Sequence, residues 1–175
     1  MMESKTETAV YWALLSHSQW NMYIAATTKG LCYVGSLNAS SAELAVWVKK
    51  RISDHILIED ADVLQPYAVE LIDYLEGRRK EFSLPMDLHG TPFQLSVWNA
   101  LQEIPYGQTV SYSDIAERIQ KPSSVRAVGT AIGANPVLMT VPCHRVIAKN
   151  GKLGGFRAGL EMKEQLLRLE NHLQW

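Results

Sequence analysis

Apolar and aromatic residues in the first third of the chain gather in three short runs, Val10–Leu15, Asn21–Thr27 and Leu31–Ser36, with Lys29-Gly30 as a turn between the second and third. Runs this short, rich in aromatic and β-branched residues, predict strands of an antiparallel sheet. The spacing then becomes helical. One helix is predicted from about Ser41 to Ile52, opening on Ser-Ala-Glu-Leu, and another from about Pro66 to Glu76, ended by Gly77. The basic run Arg78-Arg79-Lys80 and the irregular stretch through Pro85 to Gly90 predict a connection, dividing the chain into residues 1–88 and 89–175.

Beyond the connection the pattern turns mostly helical. Thr91-Pro92-Phe93-Gln94 combines a capping Thr, a Pro at the first helical position and a Gln that completes a capping box. Phe93, Val97, Leu101 and Ile104 share one face of the helix that follows, and Pro105-Tyr106-Gly107 ends it. Ser111 caps a second helix with Asp114 at its third position, and Ile115, Ala116 and Ile119 form its apolar side. After Lys121-Pro122, Ser123 starts a third helix to about Ala134, in which Ala127, Gly129, Ala131 and Gly133 leave one side nearly bare. Two short helices joined by a tight turn, the second slim and led by Arg126, predict a helix-turn-helix, although small residues serve a close helix contact equally well. Val137 to Ala148 reads as extended, and Asn150-Gly151 predicts a hairpin turn that folds the segment back as a wing. A last helix from about Leu160 to Glu170 places Leu160, Lys163, Leu166, Leu167 and Glu170 near one face.

Bulk properties narrow the chemistry. At 175 residues and 47% hydrophobic the chain can bury a core of its own. No basic segment leads into an apolar run at the N-terminus, and no apolar stretch reaches spanning length, so a cytoplasmic protein without a membrane partner is expected. Two cysteines, Cys32 and Cys143, give neither a disulfide framework nor a Cys-x-x-Cys motif, and the five histidines lack ligand spacing. No metal and no cofactor are expected. Cys32, in Gly30-Leu-Cys-Tyr-Val, reads as a core strand residue. From Arg118 to Leu160 there are seven basic residues and no acid, a candidate phosphate-binding face.

The candidate chemistry sits in Val141-Pro142-Cys143-His144-Arg145-Val146. A cysteine is a nucleophile as its thiolate, and a nearby base or positive charge raises the thiolate fraction. The same pair also fits a small buried side chain beside a satisfied imidazole. On an extended strand, moreover, neighbouring residues point to opposite faces, so Cys143 and His144 would need a bent backbone or a bridging water. Glu170, on the side that Leu166 and Leu167 bury, must fray into solvent or find a partner, because a buried carboxylate is costly. Pairing with His144 would make it the orienting third group of a nucleophile and base.

From about Thr91 to Glu170 the chain resembles the O6-alkylguanine-DNA alkyltransferases, the methylated-DNA-protein-cysteine methyltransferases. The resemblance rests on Ile104-Pro-Tyr-Gly, Val110-Ser-Tyr, Arg126-Ala-Val-Gly, Asn135-Pro, Val141-Pro-Cys-His-Arg-Val and Gly154-Gly-Phe, in the family's order and spacing. It implies an α+β protein, with a ribonuclease H-like N-terminal sheet-plus-helix domain followed by an α-helical winged helix-turn-helix domain. The implied activity is direct repair: the alkyl group of O6-alkylguanine, and of O4-alkylthymine, passes irreversibly to Cys143, once per molecule. The implied partner is double-stranded DNA carrying alkylated bases, entered from the minor groove with the nucleotide flipped out, by a protein expected to be monomeric, with cooperative assembly on DNA left open.

The resemblance also implies roles for single residues. Cys143 is the acceptor, His144 oriented by Glu170 draws off its proton through a water, Tyr112 donates a proton to guanine N3, and Asn135 ties the recognition helix to the cysteine loop. Arg126 fills the base stack, with Ser123, Ala127, Gly129 and Tyr112 beside it on the DNA. Val146, Phe156, Arg157 and Ala158 line the pocket; Arg157 and Ala158 stand where small polar, glycine or bulky aromatic residues are common, which bears on the room for large alkyl groups. Read from the residues alone, Tyr112 fits the first turn of a helix, Arg126 a surface charge and Asn135 a helix cap. Two other functions are open at this point: a module that binds alkylated DNA and recruits repair factors, which the acceptor cysteine argues against, and a Cys-His hydrolase with no DNA role.

Overall fold

The computed structural model describes residues 6–154 and 156–171, so Gly155 of the Gly154-Gly-Phe motif and His172 lie outside the described residues. Strands β1 (Thr8–His17), β2 (Trp20–Thr27) and β3 (Gly30–Val34) form the antiparallel meander that the short aromatic and β-branched runs predict. After helix α1 (Ser41–Arg51) the chain adds β4 (His55–Glu59), parallel to β1, giving the order β3-β2-β1-β4. This strand has no counterpart in the sequence reading. Its run of Ile56-Leu57-Ile58 is short, with Ile56 and Leu57 exposed, so no periodicity marks it.

The period-two alternation of the strands divides the core between the two sheet faces. Val10, Ala25, Cys32 and Tyr33 pack under α1 against Leu44, Val48 and Ile52. Leu15, Met22, Ile24, Leu31 and Val34 face helix α2 (Ala61–Leu75) and run without a break into the C-terminal half. Helix α2 starts five residues before Pro66, capped by Asp60, whose carboxylate accepts from the Asp62 and Val63 N–H groups. Pro66 sits in the second turn, where its missing N–H removes only the bond to the carbonyl four residues back. A favourable cap therefore outweighs the local breaker.

The free edge of β3 is covered from both halves. Leu31 N donates to Pro85 O and Asp87 N to Leu31 O, while Val34 N donates to Pro136 O. A Cβ on Gly30 would come within 2.5 Å of Pro85 O, so only glycine lets the connecting segment lie this close.

In the C-terminal half, α3 (Pro92–Gln102) carries the full Thr91/Gln94 capping box and buries Val97 and Leu101, with Ile104 just beyond its end. Strand β5 (Val110–Ser111) leads into α4 (Tyr112–Arg118), capped by Ser111 with Asp114 reciprocating. Helix α5 (Val125–Gly133) crosses it, held to α3 by Trp98 Nε1, which donates to Ala131 O at 2.8 Å. Ser124 is its N-cap, so Ser123 lies one residue outside the helix, and the Ser124 side chain makes no capping bond.

The stretch 137–148 departs from the extended reading. Pro136, Pro142 and a positive φ of 68° at Met139 bend it into successive turns, with Val141 N bonded to Val137 O and Arg145 N to Pro142 O. Cys143–Arg145 forms a 3-10 turn, and only β6 (Val146–Ile147) is strand, parallel to β5. The Asn150-Gly151 turn does form, with Ala148 N donating to Lys152 O, but among the described residues no strand returns from it. Helix α6 (Leu160–Leu169) closes the half by burying Met162, Lys163, Leu166 and Leu167. Among the described residues no helix is long and apolar enough to cross a membrane.

Candidate active site

Four segments converge behind the 3-10 turn: the end of α2, the Pro105–Gly107 turn, the Cys143–Arg145 turn itself and the C-terminal end of α6. The bend in the backbone turns Cys143, His144 and Arg145 all inward, with His144 fully buried and Cys143 2% exposed. The backbone is bent rather than extended here, yet among the described residues no direct hydrogen bond joins Cys143 to His144, so the pair still needs a bridging water.

Glu170 is the hub. Its Oε2 accepts from His144 Nε2 at 2.6 Å, from Arg145 Nη2 at 3.0 Å and from the Tyr74 hydroxyl. Its Oε1 accepts from Arg145 Nε at 2.8 Å and Gly107 N at 3.0 Å. A carboxylate at a helix C-terminus opposes the helix dipole, and burial adds to the cost. Burial alone would push its pKa up, but the hydrogen bonds from His144 and Arg145 and the charge they bring hold it well below the usual carboxylate range. Arg145 is fixed in turn by donating to Ile104 O at 2.7 Å.

With Nε2 committed to Glu170, His144 presents Nδ1 as its free nitrogen. That atom is buried and has no hydrogen-bond partner among the described residues. Burial lowers the His144 pKa despite the adjacent Glu170, so the imidazole is neutral and Nδ1 is an acceptor. The Cys143 thiol is pushed up by burial, against which the Asn135 amide and the charges of Arg157 and Lys163 act to lower it.

Asn135, fully buried, bridges the end of α5 and this loop: its Nδ2 donates to Val141 O at 2.9 Å and its Oδ1 accepts from Val137 N at 3.0 Å. Tyr112, half-buried at the start of α4, lies between two glycines. A Cβ on Gly154 would stand 2.9 Å from its hydroxyl oxygen, and one on Gly129 would touch its ring at 3.8 Å. Burial, and then the negative charge of Cys143, raise its phenol pKa.

Of the seven basic residues between Arg118 and Leu160, two turn inward. Arg145 serves Glu170. Arg157 donates to Asn135 O at 3.1 Å, Val34 O at 3.1 Å and Glu43 at 3.3 Å, with its guanidinium 5.5 Å from the centre of the Tyr33 ring. The other five, Arg118, Lys121, Arg126, Lys149 and Lys152, are exposed. Ser123, Arg126, Ala127, Thr130 and Gly133 form the outer face of α5 and its approach, with Gly129 half-buried towards Tyr112. Val146 is buried, while Phe156 and Ala158 are half-buried beside Arg157. Among the described residues no group of three or more His, Cys, Asp or Glu side chains is placed to hold a metal ion.

Sequence reasoning passed over Tyr74, Arg145, Lys163 and the Tyr33/Glu43 pair as members of this network. Arg145 could have been found, since a basic residue beside a buried carboxylate is its natural partner. Tyr74 is separated from Glu170 by 96 residues and Glu43 from Arg157 by 114, and no local pattern marks either.

Two family profiles cover the chain: the ribonuclease-like domain of 6-O-methylguanine DNA methyltransferase over residues 10–88, and its DNA-binding domain over residues 92–172. An inducible methylated-DNA–protein-cysteine methyltransferase of Bacillus subtilis is 62% identical over 97% of this chain and 94% of its own length. A methylated-DNA–protein-cysteine methyltransferase of Methanosarcina acetivorans is 40% identical over 92% of this chain and 98% of its own. In crystal structures, the O6-methylguanine methyltransferase of Mycobacterium tuberculosis superposes with a TM-score of 0.78 at 34% identity, each chain covered to 92%. The same protein in complex with DNA gives 0.77 at 34% identity, over 93% of this chain and 92% of that one.

Proposed function

This chain belongs to the methylated-DNA–protein-cysteine methyltransferase family, and from that premise we propose that it repairs DNA by moving the alkyl group of O6-alkylguanine, and of O4-alkylthymine, irreversibly onto its own Cys143. The observation that carries the assignment of roles is the neutral, buried His144, fixed by Glu170 through Nε2 and open at Nδ1, one residue from the thiol.

The thiol proton leaves through a water to His144 Nδ1, and Glu170 stabilises the imidazolium without itself taking the proton. The sulfur attacks the alkyl carbon in line, the carbon–oxygen bond breaks, and its electron pair passes into the guanine. Tyr112, a protonated phenol at neutral pH, gives the N3 proton that lets the base leave neutral. The product is a thioether, a poor leaving group, and no second thiol stands ready to regenerate the sulfur. Each molecule therefore acts once.

The alkylated base must leave the duplex to reach a cysteine 2% exposed, at a cost of roughly a few kcal/mol. The face of Ser123, Arg126, Ala127 and Gly129 enters the minor groove, Arg126 occupies the gap in the stack, and the small side chains let the helix backbone approach. The five exposed basic residues bind phosphates. Asn135 couples the helix to the cysteine loop, and Val146, Phe156 and Ala158 line the pocket, with Arg157 anchoring its loop to the N-terminal half. Residues 1–88 act as scaffold and residues 89–175 carry DNA binding and transfer, and the protein works as a monomer.

Intact mass after mixing with duplex DNA containing O6-methylguanine tests the reading. A gain of one methylene per chain, lost in Cys143→Ser, is the expected result. Unchanged mass with DNA still bound would instead make the chain a pure binding module.

A further inference from the structure

Of the buried charged side chains, Glu70 pairs with Arg79 at 3.2 Å and Arg145 with Glu170. Lys163 differs. It is fully buried, yet among the described residues no carboxylate lies within ion-pair distance of it. Its Nζ donates to two carbonyls, Val146 O at 2.7 Å and Leu153 O, which bracket the segment following Cys143. Carbonyl dipoles orient an ammonium but do not cancel its charge, and a neutral donor would join the two carbonyls without the cost of a buried cation.

The surroundings show where the missing charge belongs. Helix α6 packs on the Cys143–Arg145 turn, and the Lys163 ammonium ends on the carbonyl of Val146, three residues after the thiol. The charged and titratable groups around the thiol are His144 and Arg145 from the turn, Tyr112 from α4, Arg157 from the following loop, and Lys163 and Glu170 from α6. Arg145 and His144 are engaged by Glu170, and Arg157 by Glu43. Lys163 is the cation left without an anion, and Cys143 is the ionisable group left without a salt-bridge partner.

We propose that Lys163 is the fixed counter-charge of the Cys143 thiolate, a positioning residue whose cation has no anion until the thiol ionises. The inference deepens the repair reading and rests on it. In the transfer, the thiol loses its proton to His144, the sulfur–carbon bond forms as the carbon–oxygen bond breaks, and the departing base takes a proton from Tyr112. Lys163 keeps its proton throughout. What changes is its surroundings: the turn that its helix packs against carries a negative sulfur before the transfer and a neutral thioether after it. Burial already lowers the Lys163 pKa to about 8 while the potential charge of Cys143 raises it. Once that charge is gone, only the two carbonyls are left to oppose burial, so the spent protein should hold the Lys163 proton more weakly.

Lys163→Met and Lys163→Arg in the full chain separate charge from packing. Thiolate absorbance across neutral and alkaline pH, with Cys143→Ser as the blank for Cys32, reads Cys143 ionisation without any DNA. In Lys163→Met the Cys143 titration should move up by about one unit or more, with a loss of methyl-transfer rate at neutral pH of about tenfold per unit. Lys163→Arg should keep the wild-type titration. An unshifted titration in Lys163→Met, with transfer slowed equally at every pH, would reduce Lys163 to a packing residue and overturn the proposal.

Should Lys163→Met fail to fold, lysine Nζ resonances of the wild type, followed before and after methylation of Cys143, give the same decision. A fall in the Lys163 pKa on methylation supports the counter-charge, and an unchanged value refutes it. Because the thiolate titration needs no DNA, a wild type that shows the Lys163-dependent shift yet takes no methyl from DNA would sink the repair reading alone.

Discussion

Replacing Glu170 by Gln tests the hub directly. The carboxylate accepts five hydrogen bonds, from His144, Tyr74, Gly107 and twice from Arg145, all in the interior. A glutamine can keep its carbonyl on the Gly107 N–H and Arg145 Nε. Its amide then points hydrogens at His144 Nε2 and Arg145 Nη2, donor against donor, and leaves the buried Arg145 guanidinium without an anion. Breaking a buried pair by removing one partner costs about 3–5 kcal/mol. That is a large part of a typical total stability of roughly 5–15 kcal/mol, and for a chain of this length it lowers Tm by about 6–20 °C. Urea or thermal unfolding of Glu170→Gln, Arg145→Met and the double variant measures it. The double variant should be less destabilised than the sum of the singles, because with both charges gone no uncompensated ion is buried. Additive losses, or a Glu170→Gln melting point within about 1 °C of wild type, well under the shift for one kcal/mol, would show that the carboxylate is not what holds the turn.

Two further outcomes follow from the same geometry. Gly154→Ala places a Cβ 2.9 Å from the Tyr112 hydroxyl oxygen at a φ of +69°, so it should both destabilise the protein, by about 1–3 kcal/mol for the strained backbone, and slow methyl transfer; a rate equal to wild type would mean that Tyr112 does not need its present position. Acid should weaken the fold through His144: its folded pKa lies below the ordinary value, so as pH falls through about 6.5 the unfolded chain takes a proton that the folded chain refuses. The difference in stability between wild type and His144→Asn, measured by urea unfolding, should therefore shift against the wild type between neutral pH and about pH 5, and a constant difference would mean that His144 titrates alike in both states.

What the sequence made legible follows the range of the interactions involved. The capping box at Thr91 and Gln94 and the reciprocal cap at Ser111 and Asp114 are settled within four residues, and both helices start where those residues put them. The strands of the meander likewise announce themselves, because each is a short run of aromatic and β-branched residues whose side chains fill the two sheet faces. Strand β4 escaped because two of its three apolar side chains face solvent, and α2 was started late because Pro66 was read as the beginning of a helix that Asp60 had already capped. The cysteine segment misled more deeply. Its apolar run looks like a strand, yet two prolines and the Met139 turn spend its backbone hydrogen bonds locally, and that bend is what turns Cys143, His144 and Arg145 to one interior.

The carboxylate itself was legible as a placement problem, a Glu on a buried helix face that needs a partner. How many partners it has was not, since Tyr74 and the Gly107 N–H reach it from elements that carry no local mark of the encounter. Lys163 posed the same problem on the same helix face and was passed over, because a lysine at a buried position usually snorkels to water, whereas this one ends inside the protein on two carbonyls. This helix buries one acid and one base on the same side and pairs neither with the other, so the charge that balances each comes from the cysteine turn. Arg145 answers the acid when the chain folds; the base has its answer when the thiol ionises.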